Sequence, residues 1–376
     1  MNVIFTCGGT GGHINPAIAV ANALKERHPD ANILFLGAIG EMEENLVPRA
    51  GFPIKTVHCA GFCREFSMHG IKWNMQAIGV VRRAVKRCRQ IIAEFKPDVI
   101  VGTGGYASYP AMKAGVALGV PVLVHEANAV PGLTTKMAAG KASKVLVAYE
   151  ESARYYRQPE KVEVVGMPVR REFITTNKAE ARAKLGLDQR PLVVSAFGSQ
   201  GARVMNQVVA DLMHLEKEAG YPFQHIHASG VGGFRWMPDH LKDRGVAIND
   251  GKAIDVREYI YDMPTVMAAA DVIISRAGAS TCNEIAASGT PCILIPSPNV
   301  TNNHQEKNAR VFEKRGAAIV ICEPDCTGEV MFRTLTELLA DDQRCSDMSV
   351  ALRNMAVLDC AEQICDKIEE LVSTKN

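Results

Sequence analysis

The chain lacks several features that would place it in other protein classes. Its eleven cysteines include no C-x-x-C pair, which disfavours zinc and dithiol redox sites and favours free thiols in a reducing compartment. No apolar run approaches the roughly 18 residues of a membrane-spanning helix, and a strand pattern follows Met1 directly, so we expect neither a transmembrane helix nor a signal peptide. The net charge of +1 implies no general attraction to nucleic acid.

The dinucleotide-binding fingerprint G-x-G-x-x-G is also missing. The apolar segment 2–7 runs into Gly8-Gly-Thr-Gly-Gly-His13, where no such register fits, and the next strand ends in Gly37-Ala38 instead of a ribose-binding acid. A strand, a glycine turn and a helix N-terminus together form an anion site, and Asn15 and Pro16 predict the helix start. The pattern favours phosphate chemistry beside a titratable imidazole and disfavours a nicotinamide-dependent oxidoreductase.

Short apolar runs alternate with helix-period segments along the chain, which is the pattern of βα units on parallel sheets. At 376 residues the chain is long enough for two cores. The predicted strands are 2–7, 32–37, 54–58, 98–102, 121–125, 144–148, 162–165, 191–197, 223–228, 246–249, 271–275, 292–296 and 317–321. We therefore predict an α/β protein with two doubly wound Rossmann-like domains facing a cleft. The boundaries are 1–168 and 169–351, with a C-terminal helix of about 352–376 packing back on the first domain.

Three short glycine turns each follow a predicted strand, at 8–12, Gly102–Gly105 and Gly198–Gly201. In open α/β sheets, ligands bind at such strand ends. The second turn continues as Tyr106-Ala-Ser108 into a helix. It is either a tight βα connection or a second cluster of amides that face an anion.

Polar side chains follow two further strands. His125, Glu126 and Asn128 end one of them, and burying such groups is costly unless they serve a site. Arg276-Ala-Gly-Ala-Ser-Thr281 ends the other and places a cation, a glycine turn and hydroxyls before a helix whose first turn we expect to carry Glu284. That carboxylate either complements the helix dipole or accepts hydrogen bonds from sugar hydroxyls.

These motifs resemble those of one family in both order and spacing. They are Gly8–His13, Gly102–Ser108, His125–Asn128, Gly198–Ala202, Arg276–Glu284 and His304–Gln305. The chain resembles the family 28 bacterial glycosyltransferases that add N-acetylglucosamine to the muramyl-pentapeptide lipid precursor of peptidoglycan. The likeness spans nearly the whole chain, although Ala127 stands where some members have glutamine. It implies a glycosyltransferase-B fold, with the acceptor and membrane on the N-terminal domain and the donor on the C-terminal domain.

The resemblance implies an inverting transfer from UDP-N-acetylglucosamine to the C4 hydroxyl of undecaprenyl-pyrophosphoryl-N-acetylmuramyl-pentapeptide, forming a β-1,4 linkage. No D-x-D motif stands near the donor positions, so we expect neither a metal nor another cofactor. The implied partners are these two substrates, an anionic membrane surface on the cytoplasmic face, where the protein would be peripheral, and other cell-wall synthesis proteins. The alternatives are another UDP-sugar enzyme of this fold, such as a UDP-N-acetylglucosamine 2-epimerase or a glycolipid glycosyltransferase, and a non-catalytic sugar-nucleotide sensor.

Site residues carry over from the family position by position. The resemblance assigns the sugar nucleotide to Thr10, Gly11, Gly12, Asn128, Arg170, Ser199, Ile260 (through its backbone), Ala279, Ser280, Thr281, Glu284 and Gln305. Gly104, Gly105 and Tyr106 fall on the acceptor side. We predict that His13, with an ordinary pKa near 6.5, is the general base, and Glu126 is the second candidate. The alternative for His13 is that it only orients the acceptor's pyrophosphate.

Residues 72–95 are predicted to form a helix with two distinct faces. The core stripe comprises Ala77, Ile78, Val81, Ala84, Val85, Cys88, Ile91, Ile92 and Phe95. Another face carries Ile71, Met75, Arg82, Lys86 and Arg89. Basic residues beside exposed apolar ones suit an anionic membrane surface, where each cation contributes about 1 kcal/mol. A merely solvated face is the alternative.

Overall fold

The computed structural model describes residues 1–63, 67–198, 201–249, 253–300 and 303–374. The chain divides into two compact units. Unit 1 comprises Met1–Val169 together with Val357–Asn376, and unit 2 comprises Arg170–Ala356. The segment that returns to unit 1 therefore begins at Val357, later than the predicted position of about 352.

Unit 1 is built on a seven-stranded parallel sheet. Its strands are β1 (Asn2–Thr6), β2 (Asn32–Ala38), β3 (Ile54–Val57), β4 (Val99–Gly102), β5 (Val122–Glu126), β6 (Lys144–Val147) and β7 (Val162–Val164). They lie in the order β3-β2-β1-β4-β5-β6-β7. Val3, Ile4 and Phe5 are fully buried, which requires helices on both faces of the sheet. Because the strand order reverses between β1 and β4, the switch point of this sheet lies where those two strands end.

Unit 2 repeats the design with six parallel strands. They are β8 (Leu192–Ala196), β9 (Gln224–Ala228), β10 (Ile254–Arg257), β11 (Val272–Ser275), β12 (Cys292–Leu294) and β13 (Ile319–Val320). Their order is β10-β9-β8-β11-β12-β13, so the switch point lies between β8 and β11. The two sheets confirm the predicted pair of doubly wound α/β domains.

Helices connect the strands in both units. They are α1 (Gly11–Arg27), α2 (Glu43–Arg49), α3 (Met68–Phe95), α4 (Tyr109–Ala117), α5 (Leu133–Ala139), α6 (Glu172–Thr175), α7 (Lys178–Lys184), α8 (Arg203–Glu218), α9 (Gly230–Phe234), α10 (Met237–Asp243), α11 (Met263–Ala269), α12 (Ala279–Ser288), α13 (His304–Lys314), α14 (Gly328–Leu339), α15 (Asp342–Met355) and α16 (Cys360–Ser373).

The first helix begins earlier than its sequence predicts. Thr10 is the N-cap of α1, so the predicted start at Asn15 and Pro16 was wrong. Glycines can adopt helical backbone, and Pro16 removes only the amide that would bond back to Gly12. The glycine turn and the helix N-terminus therefore overlap, which brings His13 into the first turn of the helix.

The C-terminal segment, predicted as one helix of about 352–376, is covered by two helices, α15 and α16, with an extended break between them. Only α16 belongs to unit 1, where Ile364 shares a buried core with Leu24 of α1. Arg27 at the end of α1 donates a hydrogen bond to Asp366 at 2.5 Å. The C-terminus is therefore an integral layer of unit 1.

One predicted strand of unit 2 was wrong. Residues 246–249 are not extended into the sheet, and β10 takes the edge position. Asn249 has a left-handed backbone, with φ of 55°, and its side chain accepts from the Val256 N–H at 2.7 Å. This asparagine turns the chain, and Ile254 and Val256 then supply the buried side of the edge strand.

Candidate active site

Two glycine turns meet at the switch point of unit 1. Gly9 has φ of +82° and Gly105 has φ of +80°, conformations that other residues rarely adopt. A Cβ on Gly105 would lie 2.1 Å from the carbonyl oxygen of Gly8. The turns after β1 and β4 are therefore in backbone contact, and the structure brings together the predicted loops 8–13 and 102–106.

His13 is held by the second turn. Its Nδ1 lies 3.1 Å from the Thr103 carbonyl oxygen, and Thr103 Oγ1 donates to the His13 carbonyl at 2.7 Å. A Cβ on Gly104 would lie 2.7 Å from His13 Nδ1, so the glycine makes this packing possible. Because a carbonyl oxygen only accepts, the neutral ring carries its proton on Nδ1 and its lone pair on Nε2. That tautomer is the one required of a base that acts through Nε2.

A buried acidic residue that the sequence did not indicate supports the first turn. Glu43 is 0% exposed, and its two oxygens accept from the N–H groups of Gly9 (3.1 Å) and Ala38 (2.9 Å). Nearby, Tyr106 donates its hydroxyl to Glu41 at 2.5 Å, and burial raises the pKa of this phenol. In the sequence, the only indication of this role for Glu43 was an acidic residue near a helix start. That feature is normally explained by the helix dipole.

Glu126 organises the loop after β5. Its carboxylate accepts from the Asn128 N–H (2.9 Å), from Asn128 Nδ2 (3.0 Å) and from the Gly132 N–H (2.9 Å). The Asn128 amide is thereby oriented by its neighbour. His125 is buried, with Nε2 2.8 Å from the Gly166 carbonyl, and burial lowers its pKa, so it is neutral. Of the three polar residues at this strand end, Asn128 is the one that Glu126 positions.

Two helices begin at the switch point of unit 2, and neither is capped by a side chain from the described ranges. They are α8, with Ala202 as N-cap, and α12, with Gly278 as N-cap. By contrast, the Asn177 side chain caps α7 and the Thr327 side chain caps α14. Uncapped N-termini leave backbone N–H groups and the positive end of the dipole available to an anion. Ser199, predicted at the start of this region, lies outside the described residues.

The residues of α12 that were predicted to contact the nucleotide lie near a carboxylate and a cation. Ala279, Ser280 and Thr281 form the first turn, whereas Glu284 is in the second turn, not the first as predicted. Burial raises the pKa of Glu284 to about 6, and the Arg170 charge acts in the opposite direction. Arg170 is exposed, and its guanidinium lies 5.0 Å from the Phe173 ring.

Three other residues of unit 2 were predicted at the site, and the structure places each of them differently. Gln305 Oε1 accepts from the Ser297 N–H at 2.9 Å, so its amide nitrogen is the group with hydrogens to offer. Ile260 has a buried side chain. Arg276, which the sequence suggested as a cation at the site, is instead engaged by Glu323 in an ion pair.

The α3 helix has an exposed apolar surface among basic residues. Ile71 is 55% and Met75 70% exposed, and Arg82, Lys86 and Arg89 are exposed as well. Ile78 was predicted in the core, but it is 43% exposed, because the helix turns it about 100° from the buried Ala77. The remaining core stripe lies buried or half-buried as expected.

Two other kinds of feature are absent from the residues that the structure describes. Within the described ranges, no helix is both long and apolar enough to cross a bilayer. Nor does that part of the chain group three or more His, Cys, Asp or Glu side chains so that they could hold a metal ion.

Comparison with known proteins gives full-length matches. Residues 3–147 match the glycosyltransferase family 28 N-terminal domain, and residues 192–364 match the glycosyltransferase family 28 C-terminal domain. The chain is similar to the UDP-N-acetylglucosamine–N-acetylmuramyl-(pentapeptide) pyrophosphoryl-undecaprenol N-acetylglucosamine transferase of Acetivibrio thermocellus, with 38% identity over 100% of this chain and 99% of that protein. The protein of that name from Thermoanaerobacter sp. is 40% identical over 99% of this chain and 100% of its own length.

Solved structures agree with the sequence relatives. The crystal structure of Acinetobacter baumannii MurG is 26% identical, with a TM-score of 0.77, and the match covers 98% of this chain and 99% of that one. A UDP-GlcNAc 2-epimerase from Neisseria meningitidis, bound to UDP-GlcNAc, has a TM-score of 0.67 at 15% identity over 100% of both chains, which shows a shared fold alone. The two domain matches and the full-length relatives show that this chain belongs to glycosyltransferase family 28.

Proposed function

We propose that this enzyme transfers N-acetylglucosamine from UDP-N-acetylglucosamine to the C4 hydroxyl of undecaprenyl-pyrophosphoryl-N-acetylmuramyl-pentapeptide. The transfer proceeds with inversion and forms a β-1,4 linkage. The observation that carries this proposal is the 38–40% identity, over the whole chain, to transferases of that name. The 2-epimerases among the structural neighbours share the fold at only 11–15% identity, so the transferase is favoured over the epimerase.

Unit 2 suits the donor. The uncapped N-termini of α8 and α12 supply partial positive charge, and Arg170 supplies a full one, for a diphosphate. Ser280 Oγ is buried and has no hydrogen-bond partner in the part of the chain that the structure describes, so it can donate to the same group. Glu284 can accept from ribose hydroxyls, and the Gln305 amide can donate to the sugar. With Thr10 to Gly12, Asn128, Ile260 and Ser199, these are the proposed donor contacts.

Unit 1 suits the acceptor and the proton transfer. Gly104, Gly105 and Tyr106 border the turn that holds His13. In the proposed step the acceptor's C4 oxygen bonds to the anomeric carbon while its proton passes to His13 Nε2. As that bond forms, the bond from the anomeric carbon to the diphosphate oxygen breaks, with its electron pair leaving on UDP. Arg170 and the helix N–H groups stabilise this developing charge.

His13 is the better of the two candidate bases. Glu126 already accepts three hydrogen bonds from its own loop, which engage both of its oxygens. The His13 ring is fixed through Nδ1 in the tautomer that a base needs. The second role considered for His13, orienting the acceptor's pyrophosphate, would require a protonated ring.

The exposed face of α3 is proposed to meet an anionic membrane at its cytoplasmic side. An acceptor with a polyprenyl tail stays in the bilayer, so the enzyme must come to the interface. Ile71, Met75, Trp73 and Ile78 provide exposed apolar area beside the cations of α3. The arrangement resembles that of interfacial helices, which combine an apolar face with Lys and Arg. Other cell-wall synthesis proteins are proposed partners at the same surface.

One assay tests the function. The protein is mixed with UDP-N-acetylglucosamine and a short-chain analogue of the muramyl lipid, and the products are separated. The proposal requires a β-linked disaccharide and one equivalent of UDP. Epimerised UDP-sugar formed without acceptor would instead establish the 2-epimerase, and binding of UDP without turnover would indicate a sensor.

A further inference from the structure

Glu43 is a buried carboxylate with no part in the proposed chemical step. It lies at the start of α2, beneath the first glycine turn, and its Oε2 accepts from the Gly9 N–H. Its Oε1 accepts from the N–H of Ala38, at the end of β2. A fully buried carboxylate is costly to desolvate, so two short bonds to backbone amides indicate a specific position for it.

The surrounding backbone is shaped to accommodate this side chain. A Cβ on Gly8 would lie 2.2 Å from Glu43 Oε1, and a Cβ on Gly37 would lie 2.5 Å from Glu43 Cγ. Alanine at either position would therefore displace the carboxylate. Gly8, after β1, and Gly37, near the end of β2, make room for Glu43, in addition to any role they have toward a ligand.

The support extends from Glu43 to the imidazole. The Gly9 N–H belongs to the turn that becomes α1 two residues later, and His13 is in the first turn of that helix. On its other side, the His13 ring is held by Thr103. The turn that carries the ring is thus fixed from both sides, by a carboxylate of α2 and by the loop after β4.

We propose that Glu43 is a positioning residue for His13: it holds the first glycine turn through Gly9 and so sets the imidazole against the acceptor hydroxyl. This inference rests on the proposed role of His13 as the base. It concerns the first glycine turn of unit 1, whereas the groups proposed to meet the diphosphate and ribose, Arg170, Ser280 and Glu284, lie in unit 2. The affinity for UDP itself should therefore not depend on it.

The test is a double-mutant cycle with Glu43→Gln and His13→Ala. Glutamine has the same shape, but it presents an NH₂ group to one of the two backbone donors. Misplacing a catalytic group by about 1 Å costs up to about 100-fold, so we expect Glu43→Gln to lower kcat about 10- to 100-fold. In the His13→Ala background, the same substitution should change the residual kcat by no more than about twofold. UDP affinity, measured by calorimetry, should stay at the wild-type value in all variants.

Glu44→Gln is the matched control. Glu44 carries the same charge on the same helix, but it accepts from the Gly40 N–H and Thr56 Oγ1, away from both glycine turns. We expect it to keep wild-type kcat. If Glu43→Gln does not fold, Glu43→Asp replaces it, since it keeps the charge and shortens the reach to Gly9.

The outcomes separate this inference from the function on which it rests. Equal losses from Glu43→Gln in both backgrounds would mean a general structural role and would overturn the inference. Wild-type kcat in Glu43→Gln, with His13→Ala impaired, would overturn it as well. If His13→Ala itself turns over normally, the assignment of the base fails, whichever result Glu43 gives.

Discussion

The two units have the same strand order at their centres, yet their switch points present opposite electrostatics. In unit 1 the turn after β1 rests on the buried carboxylate of Glu43, and an imidazole stands at its exit. In unit 2 the turns after β8 and β11 lead to helix N-termini that no side chain of the described residues caps, with Arg170 beside one of them. A negative charge lies beneath one turn, and positive charge faces outward from the other pair.

This difference indicates which part of each unit would select its ligand. Identical βα topology supplies a cleft at the strand ends in either unit, but it does not select a ligand. The side chains behind and beside the turns make the selection. Unit 2 is suited to the diphosphate of a nucleotide, and unit 1 to a neutral hydroxyl whose proton must be removed.

The largest effect should come from the imidazole of unit 1. Replacing His13 with alanine should lower kcat by about 10²- to 10⁴-fold, because a general base contributes that much. The affinity for UDP should not change, since unit 2 is intact. Turnover assays with calorimetry of UDP binding check both parts, and Asn15→Ala, an exposed neighbour on α1, is the control. A loss of UDP affinity together with the loss of kcat would contradict the proposal that the two units act on different substrates.

Replacing the Arg170 guanidinium of unit 2 should instead lower the affinity for UDP. Arg170→Ala should weaken UDP binding about 10- to 100-fold, the equivalent of one charge-assisted hydrogen bond. Arg171→Ala removes an adjacent exposed cation and should leave the affinity unchanged. Calorimetry with UDP and with uridine separates the diphosphate contribution, because uridine should bind both variants equally. Equal weakening of UDP binding by both substitutions would instead indicate a general charge effect.

We expect ionised Glu284 to lower the stability of the fold and to strengthen binding of the donor. Its pKa of about 6, above the ordinary 4.5, means that the fold favours the protonated form. That stabilisation is present below pH 4.5 and is lost as the pH rises through 6. Glu284→Gln stays neutral, so at pH 7.5 it should raise the free energy of unfolding by about 1–2 kcal/mol.

Denaturant unfolding of the wild type and Glu284→Gln at pH 7.5 and pH 4.5 checks this prediction. The gain in the free energy of unfolding should vanish at the lower pH. The same variant should bind UDP more weakly at pH 7.5. Wild-type affinity for UDP should fall as the pH drops below 6, and the affinity of the glutamine variant should not. A gain in stability that persists at pH 4.5 would show that the cause is not the ionisation of Glu284.

A separate effect, on membrane binding, should come from the surface of α3. Reversing Arg82 and Lys86 to glutamate should weaken binding to vesicles rich in anionic lipid by about 1–2 kcal/mol for each site, since each cation contributes about 1 kcal/mol. Arg333→Glu, an exposed reversal in unit 2, is the control. Vesicle sedimentation measures the binding, and equal binding to neutral vesicles would count against an electrostatic contact.

Local pattern determined much of the fold. The apolar runs of β1 and β11 are short, buried on both faces and closed by glycine, and such signals depend only on neighbouring residues. The same is true of the amphipathic period of α3. Where a pattern admitted two solutions, local reasoning failed. Residues 246–249 begin with three apolar residues and 254–257 alternate apolar with charged residues, and the chain turns at the left-handed Asn249 and forms the strand from the second segment.

The sequence by itself determined two doubly wound α/β domains, the glycine turns at their strand ends and the imidazole beside the first turn. Only the tertiary structure decided which polar groups support those turns: Glu43 under Gly9, Glu323 on Arg276, and Thr103 on His13. These partners lie 34, 47 and 90 positions apart. Periodicity and propensity act over a few residues, whereas a buried hydrogen bond forms only after packing has brought distant strand ends together.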